Sequence, residues 1–565
     1  MCWAAWGIAA ANANDFTAPH LVSLRPDWDA AKTALSAENG AANDTASFDL
    51  LNGALAERFP KIATSPVPVL LPFDTAAYLR DRASGPTKPT ESYLGGFSPS
   101  GFFLPGPTGY DVTFTVRPGS PEFGDVSYGE PIVVEVSGFA MTYDLPPPKG
   151  TEANTTPRDL EKDFPGIRRI ILESHLRYSF ERYGIRYVIA IQCFDAAPRA
   201  RRLACRVADK VAVKMLRALR LAGGNSTAVF KPFEARLIVR PEKQSPDFTY
   251  YPPGKLIPHT GIKDNDGVVD YTVFAQIRYP IARAPSFANS QSFMNWGDCD
   301  QTGRTGRSGS KDGTYRCRVN SKPLLFNEGA KENYDYPWRD NFCEHRFYFV
   351  GQCAAGYGHQ GQDIRAGICP LKNDGADRCE PYGEHVVAVH EGMILRQRKQ
   401  EAIFLVVNGE SERIRFRYMH MNPDRLDADG ILSGQRVASG EIVGKIGNYN
   451  RKENGTTVHL HFEGMVPTND GWVRINPYST LVNAYERLIG GRGREVQDEP
   501  VVAPAATASA DGAIAVVPAK IEQVEKSEPD HKRGKRHARG SKRGTAEAHG
   551  PGRRHATKGK RGRRG

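Results

Sequence analysis

The chain has 565 residues, of which 25% are charged and 40% hydrophobic; this is ordinary globular composition, and the length is too great for one core, so two or three domains are expected. The formal charge of +11 is misleading, because residues 531–565 hold 14 Lys or Arg against one acid, Glu547. The folded part is near neutral and the basicity is a tail. No stretch after the first residues approaches 18 consecutive apolar residues, which argues against a transmembrane helix in the mature chain.

Residues 1–13 read as the remnant of a signal peptide. Residues 2–10 are small and apolar, and Ala11-Asn12-Ala13 fits a small-x-small cleavage site. Residues 14–285 read as an α/β region of unknown function. Strands are expected at 131–136 and 187–191, a helix over 167–183 from the spacing of Ile167, Ile170 and Ile171, and a second helix over 207–221, stopped by Gly223-Gly224. Setting Cys2 aside, eight cysteines fall in near-neighbour pairs, Cys193–Cys205, Cys299–Cys317, Cys343–Cys353 and Cys369–Cys379. Such pairs fit disulfides in an oxidising compartment, and the expected location is export to the periplasm or cell envelope.

Residues 286–335 form a Gly/Ser/Arg-rich, disulfide-pinned segment. The run 303–311 has no Gly-Lys-Ser/Thr ending and no preceding strand, so it reads as a surface loop rather than a phosphate loop.

Residues 336–485 are mostly β. A strand is expected over 386–389, closing at Gly392. The apolar run 402–407 is followed by Asn408-Gly409, a strong hairpin signal. Residues 413–420 alternate, with Ile414, Phe416, Tyr418 and His420 on one face and Arg413, Arg415 and Arg417 on the other. In the last strand, 458–463, His459 and His461 share a face. Gly356, Gly358 and Gly361 place His359 and Asp363 on a turn leading into a strand rather than on a helix. Together these residues supply two imidazoles and a carboxylate for a metal, with two imidazoles to spare, the inventory of a hydrolytic zinc site. His385 and His390 read as structural.

Over roughly residues 340–485 the sequence resembles the lysostaphin-type, LytM-like zinc endopeptidases that cut peptidoglycan peptides. The resemblance rests on His-x-Gly-x-Asp-Ile at 359–364, Val-Val-Ala-Val at 386–389 with a following glycine, Tyr-x-His at 418–420, Ser-Gly-Gln-Arg-Val at 433–437, Gly-Glu-Ile-Val-Gly at 440–444, His-Leu-His-Phe-Glu at 459–463 and Asn476-Pro477. It implies a multidomain chain with a mainly-β peptidase domain of the duplicated-hybrid-motif type. It also implies one zinc ion held by His359, Asp363 and His461, with His420 and His459 as the catalytic pair. The implied reaction is hydrolysis of peptidoglycan cross-links or stem peptides by a metal-activated water. The alternative is a non-hydrolytic or autoinhibited wall-binding or activator protein on the same fold. Departures from the family pattern are a Cys-flanked insertion at 368–382, Val458 for a common proline, Met421 for leucine, and residues 448–457 for a glycine-rich turn.

Residues 486–565 form a linker and a basic tail. Residues 532–565 lack the apolar residues for a core and are expected to be disordered. Anionic envelope polymer or lipid headgroups are the expected partners; nucleic acid is not, since no aromatic residue is interleaved for base stacking.

Overall fold

Period-two alternation along Gly109–Val116 and Ile132–Phe139 decides the first layer. Val112, Phe114 and Val116, with Val134 and Val136, enter one apolar core. Asp111, Glu135, Ser137 and Phe139 lie on the opposite face, as alternation requires. These strands belong to a six-stranded antiparallel sheet in the order Ser98–Gly106, Gly109–Val116, Ile132–Phe139, Ile185–Gln192, His175–Arg182, Arg168–Leu172. The computed structural model describes residues 15–39, 44–149, 159–193, 203–262, 267–293, 298–299, 317–319, 322–323, 327–367, 369 and 379–497. The expected signal remnant, the 303–311 loop, most of the 368–382 insertion and the basic tail lie outside the described residues.

Helices Trp28–Asn39, Asp44–Leu55, Thr75–Ser84 and Cys205–Ala218 bring apolar residues to the sheet's apolar core. In the last of these, Ala208, Val211, Ala212, Met215 and Leu216 form the buried stripe. The Cys193–Cys205 disulfide ties its first turn to the strand Ile185–Gln192. The Cys343–Cys353 and Cys369–Cys379 disulfides are also formed. Cys299 is disulfide-bonded and pairs in register with Cys317, whose side chain lies outside the described set.

The second layer is an eight-stranded sheet. Its path runs Ser286–Ala288, Gln362–Ala366, Leu460–Thr468, Arg413–Met419, Ile403–Asn408, Gly392–Leu395, Arg436–Val437, with Gly471–Ile475 also paired to Leu460–Thr468. Its edge strand Ser286–Ala288 comes from ahead of residue 336. Ile364, Leu405, Ile414, Phe416, Leu460 and Phe462 share one apolar core with Leu481, Val482 and Tyr485 of helix Tyr478–Ile489. Among the described residues no helix is long and apolar enough to cross a membrane.

Four expectations need correction. Residues 167–183 are not a helix but the hairpin Arg168–Leu172 and His175–Arg182. The isoleucine spacing matched a helix by coincidence, and pairing of His175–Arg182 with its neighbour strand Ile185–Gln192 decides the outcome. The 386–389 strand runs His385–Val387, and Gly392 opens the next strand instead of closing this one. The hairpin after Ile403–Asn408 forms, but its turn centres on Glu410-Ser411, two residues past Asn408-Gly409. Asn408 pairs with Arg413 in the ladder, and the Gly409 N–H donates to the Glu412 carbonyl (2.9 Å). The side chain of Asn408 instead reaches the first sheet's hairpin, donating to the Gly109 carbonyl (3.0 Å) and accepting from the Thr108 N–H (3.2 Å). His420 lies one residue past its strand, half-buried and at φ 71°, rather than ending the strand on the buried face.

The arginine face of Arg413–Met419 is buried against the first sheet. Arg413 donates to Asp111 Oδ2 (2.8 Å), and Arg415 donates to Asp111 Oδ1 (3.0 Å) and Glu135 Oε2 (2.6 Å). Ser137 Oγ donates to Asp111 (2.6 Å), and Arg415 lies 4.0 Å over the Trp472 ring. Burial disfavours the Asp111 charge, but the two guanidiniums hold its carboxyl below the usual range. Removing one partner of a buried network strands the others. Asp111→Ala is therefore expected to cost about 3–5 kcal/mol of unfolding free energy in denaturant titration; a loss under about 1 kcal/mol would contradict this role.

His390 Nε2 lies 2.9 Å from Glu412 Oε1, and its Nδ1 lies 2.8 Å from the Glu391 carbonyl. Burial opposes its charge, but Glu412 and the Glu391 carbonyl outweigh burial and raise its pKa. A raised folded pKa gives stability that is fully present below the unfolded value near 6.5 and is lost as pH rises through the folded value. The stability gap between wild type and His390→Gln should thus be of order 1 kcal/mol in mild acid and close at alkaline pH. A gap that widens with pH would contradict the assignment.

Candidate metal centre

Register brings the chemistry together. In the antiparallel pair Gln362–Ala366 and Leu460–Thr468, Asp363 stands directly opposite His461. On the other side of the same strand His461 is opposite Met419, one residue before His420. Leu460 and Phe462 enter the core, so the alternate residues His461 and Glu463 share the face away from it. His459 sits just before the strand, its N–H donating to the Gly447 carbonyl (3.2 Å). His359 lies on the approach to its strand, where the His359 N–H donates to the Glu344 carbonyl (2.9 Å) and its carbonyl accepts from Cys343 (3.1 Å). Gly361 is needed here, since a Cβ would lie 2.3 Å from the Phe462 carbonyl oxygen.

Three donor atoms converge. His359 Nε2 and His461 Nδ1 are 3.0 Å apart, His461 Nδ1 and Asp363 Oδ1 2.9 Å, and His359 Nε2 and Asp363 Oδ1 3.3 Å. This is the metal-capable His/Cys/Asp/Glu group among the described residues, and all three members are buried. His459 Nε2 lies 3.4 Å from the same Asp363 oxygen, and the His420 and His459 rings are 4.6 Å apart. The structure therefore gathers all five expected residues into one cluster.

The outward nitrogens define what the inward ones can do. The Nδ1–H of His359 donates to the Asn341 carbonyl (2.8 Å), that of His420 to the Tyr449 carbonyl (2.8 Å) and that of His459 to the Thr457 carbonyl (2.9 Å). A carbonyl only accepts, so each neutral ring keeps its proton there and turns a lone pair at Nε2 inward. His461 is arranged the other way round. Its Nε2 faces Glu463 Oε1 at 3.1 Å, which leaves Nδ1 bare toward Asp363 and His359. Two bare nitrogens and a carboxylate oxygen in mutual contact repel unless they share a cation. Tetrahedral zinc with bonds of about 2.0–2.1 Å separates its donors by roughly 3.3 Å, so the donor set and spacing fit that ion. Carbonyl or carboxylate support for the second ring nitrogen is the usual companion of a metal-bound histidine.

Burial disfavours the Asp363 charge, yet His359 and His459 hold its carboxyl well below the ordinary range. Burial lowers the pKa of His359. Burial, then the neighbouring His459 and His461, push His420 well below its usual value, so its ring is neutral near pH 7 and able to take a proton. His461 is raised, because Asp363 and Glu463 outweigh its burial. Glu463 is itself held well below the usual range despite burial, by Arg417 and Arg474. Arg417 donates to Glu463 Oε1 (2.8 Å) and Arg474 Nε to Oε2 (2.9 Å).

Several supporting residues escaped sequence reasoning. Asn341 holds His359 through its carbonyl and accepts the Asp363 N–H on Oδ1 (2.8 Å); a backbone carbonyl leaves no trace in a sequence. Gln291 accepts from the Thr457 hydroxyl (2.9 Å) beside His459. Asp340 receives Asn476 Nδ2 (2.6 Å), and the Asn476 Oδ1 accepts from Gln362 (3.2 Å). Of these, only Asn476 carried a signal, as part of the Asn-Pro pair.

The model of peptidase family M23 matches residues 371–477. The match contains His420, His459 and His461 and begins past His359 and Asp363. No curated protein matches the chain. Among solved structures, an assigned glycyl-glycine endopeptidase lytM from Ruminococcus gnavus is similar at 22% identity, over 24% of this chain and 50% of that one, with a TM-score of 0.18. This chain thus spans about half the length of the structure it matches. With the three histidines inside the matched span, residues 371–477 are a peptidase family M23 domain.

Proposed function

We propose that the chain is a zinc-dependent endopeptidase that hydrolyses peptide cross-links or stem peptides of peptidoglycan. The observation that carries this reading is the facing donor set, in which His359 Nε2, Asp363 Oδ1 and His461 Nδ1 converge within 3.3 Å of one another. These three residues would hold the metal. Zinc, when bound, supplies Lewis-acid polarisation of water and of the scissile carbonyl. His420, neutral and with Nε2 free, takes the proton from the attacking water and can return it to the leaving amine. The Nε2 edge of His459 stands beside Asp363 and can accept a hydrogen bond from the attacking water, orienting it. His420 is half-buried while the three donors are buried, so the His420 side is the approach for substrate. The peptidase family supports the reaction class, and the motif resemblance supports peptidoglycan as the substrate.

Export to the periplasm or cell envelope belongs to the same reading, supported by the disulfides. Residues 532–565 would add affinity for anionic envelope polymer or lipid headgroups by counterion release.

Mass spectrometry of purified peptidoglycan treated with the full chain, with zinc analysis in parallel, tests the proposal. New stem-peptide fragments that vanish with chelator, and zinc at about one per chain, are the expected result. Zinc without fragments would replace the reading by a non-hydrolytic or autoinhibited wall protein; neither zinc nor fragments would end it. Two variants separate the roles. His461→Ala should lose zinc and activity together. His420→Ala should keep zinc and lower kcat by about 10²–10⁴-fold; loss of zinc in that variant would contradict its assignment as a proton carrier.

A further inference from the structure

The metal-facing strand is supported from behind by a residue of the first sheet. The hairpin between Arg168–Leu172 and His175–Arg182 turns through Glu173 and Ser174, with Leu172 paired to His175. Both turn residues have positive φ, 52° and 61°. A two-residue turn of this kind strongly favours Asn-Gly, and a long acidic side chain at its first position is locally unfavourable. Yet Glu173 is buried at 1% exposure, at the tip of a hairpin where a charged residue ordinarily points to water. An outlier that the surroundings enforce is a reason to look for a role.

The surroundings are the peptidase domain. The Arg474 backbone N–H donates to Glu173 Oε1 and Oε2 (3.3 and 3.4 Å). The Arg474 guanidinium lies 3.2 Å from Glu173 Oε2, and Arg177 donates to the same oxygen at 3.4 Å. On its other side Arg474 Nε donates to Glu463 Oε2 (2.9 Å), and Glu463 Oε1 faces His461 Nε2 (3.1 Å). Glu173, Arg474 and Glu463 thus form a continuous buried chain of alternating charge that ends on a metal-facing imidazole.

Resting on the zinc reading above, we propose that Glu173 is a positioning residue of the metal centre, setting the strength of His461 as a ligand through Arg474 and Glu463. With Glu173 in place, the Arg474 guanidinium is shared between two carboxylates, and Glu463 keeps the charge with which it polarises His461. Without Glu173, Arg474 has Glu463 as its remaining carboxylate partner in the chain and draws on it harder. The His461 imidazole is then less firmly oriented, and the site binds a cation more weakly. The first region of the chain accordingly contributes to the centre although it supplies no ligand.

The test uses the full chain and two metal readouts, zinc affinity by competition with a chelating indicator and the visible absorption spectrum of the cobalt-substituted protein. Glu173→Ala is expected to weaken zinc binding by about 10–100-fold and to alter the cobalt bands. Glu173→Gln, of the same shape, carries the test if the alanine variant does not fold; it is expected to weaken binding less, and Glu173→Asp to restore part of the loss. Glu181→Gln, in an exposed pair with Arg186 on the same sheet, should leave both readouts unchanged. Folded Glu173 variants with lowered thermal stability but wild-type zinc affinity and cobalt spectrum would overturn the proposal and leave a purely structural role. Failure of the wild type itself to bind zinc would overturn the zinc reading as well, so the two failures are distinguishable.

Discussion

Burial of charge between the two sheets is the constraint on which the rest of the structure depends. An isolated ion in a protein interior costs several kcal/mol, so every guanidinium turned inward by Arg413–Met419 must meet a carboxylate. Arg413 and Arg415 meet Asp111 and Glu135 of the first sheet, and Arg417 meets Glu463 of the adjacent strand. Alternation does the rest. Once the arginines face one way, Ile414, Phe416 and Tyr418 face the other, into the core shared with Phe462. A slip of one residue would expose the apolar set and strand the charges together, so the ion pairs and the core specify the same register. That register is the one that sets Met419 opposite His461 and ends beside His420.

The same logic explains why the centre has depth. His461 is backed by Glu463, and Glu463 by Arg417, Arg474 and, beyond them, Glu173. Glu463 is engaged by a guanidinium on each oxygen, which holds it in place behind His461. His359, His420 and His459 are fixed more simply, by main-chain carbonyls at Asn341, Tyr449 and Thr457. The result is a preorganised set of inward donors in which His420 alone is half-buried and the others are buried.

How much of this could be read from the sequence follows from the range of the interactions. The two-residue spacing of His459 and His461, the glycines around His359 and the alternation up to His420 are local patterns, and the five residues they point to do assemble. Three disulfides between near neighbours were legible for the same reason. What escaped was set at long range. Arg413 and Arg415 look like part of a solvent-facing stripe until Asp111 and Glu135, some 280 to 304 residues earlier, are brought against them. Ile167, Ile170 and Ile171 imitate a helix, and the segment becomes a hairpin because its partner strand, and the Arg474 pocket for Glu173, are elsewhere in the chain. The supporting carbonyls of Asn341, Tyr449 and Thr457 belong to the backbone and have no sequence signature.

The proposed chemistry stands or falls with zinc held by two imidazoles and one carboxylate of this chain. X-ray absorption at the zinc edge of the metal-loaded full chain tests it most directly. Zinc held by His359, Asp363 and His461 gives a shell of light nitrogen and oxygen scatterers with the outer-shell pattern of two imidazoles, reduced to one in His461→Ala if any metal is retained. Sulfur in the first shell, or an imidazole count unchanged by that substitution, would contradict it.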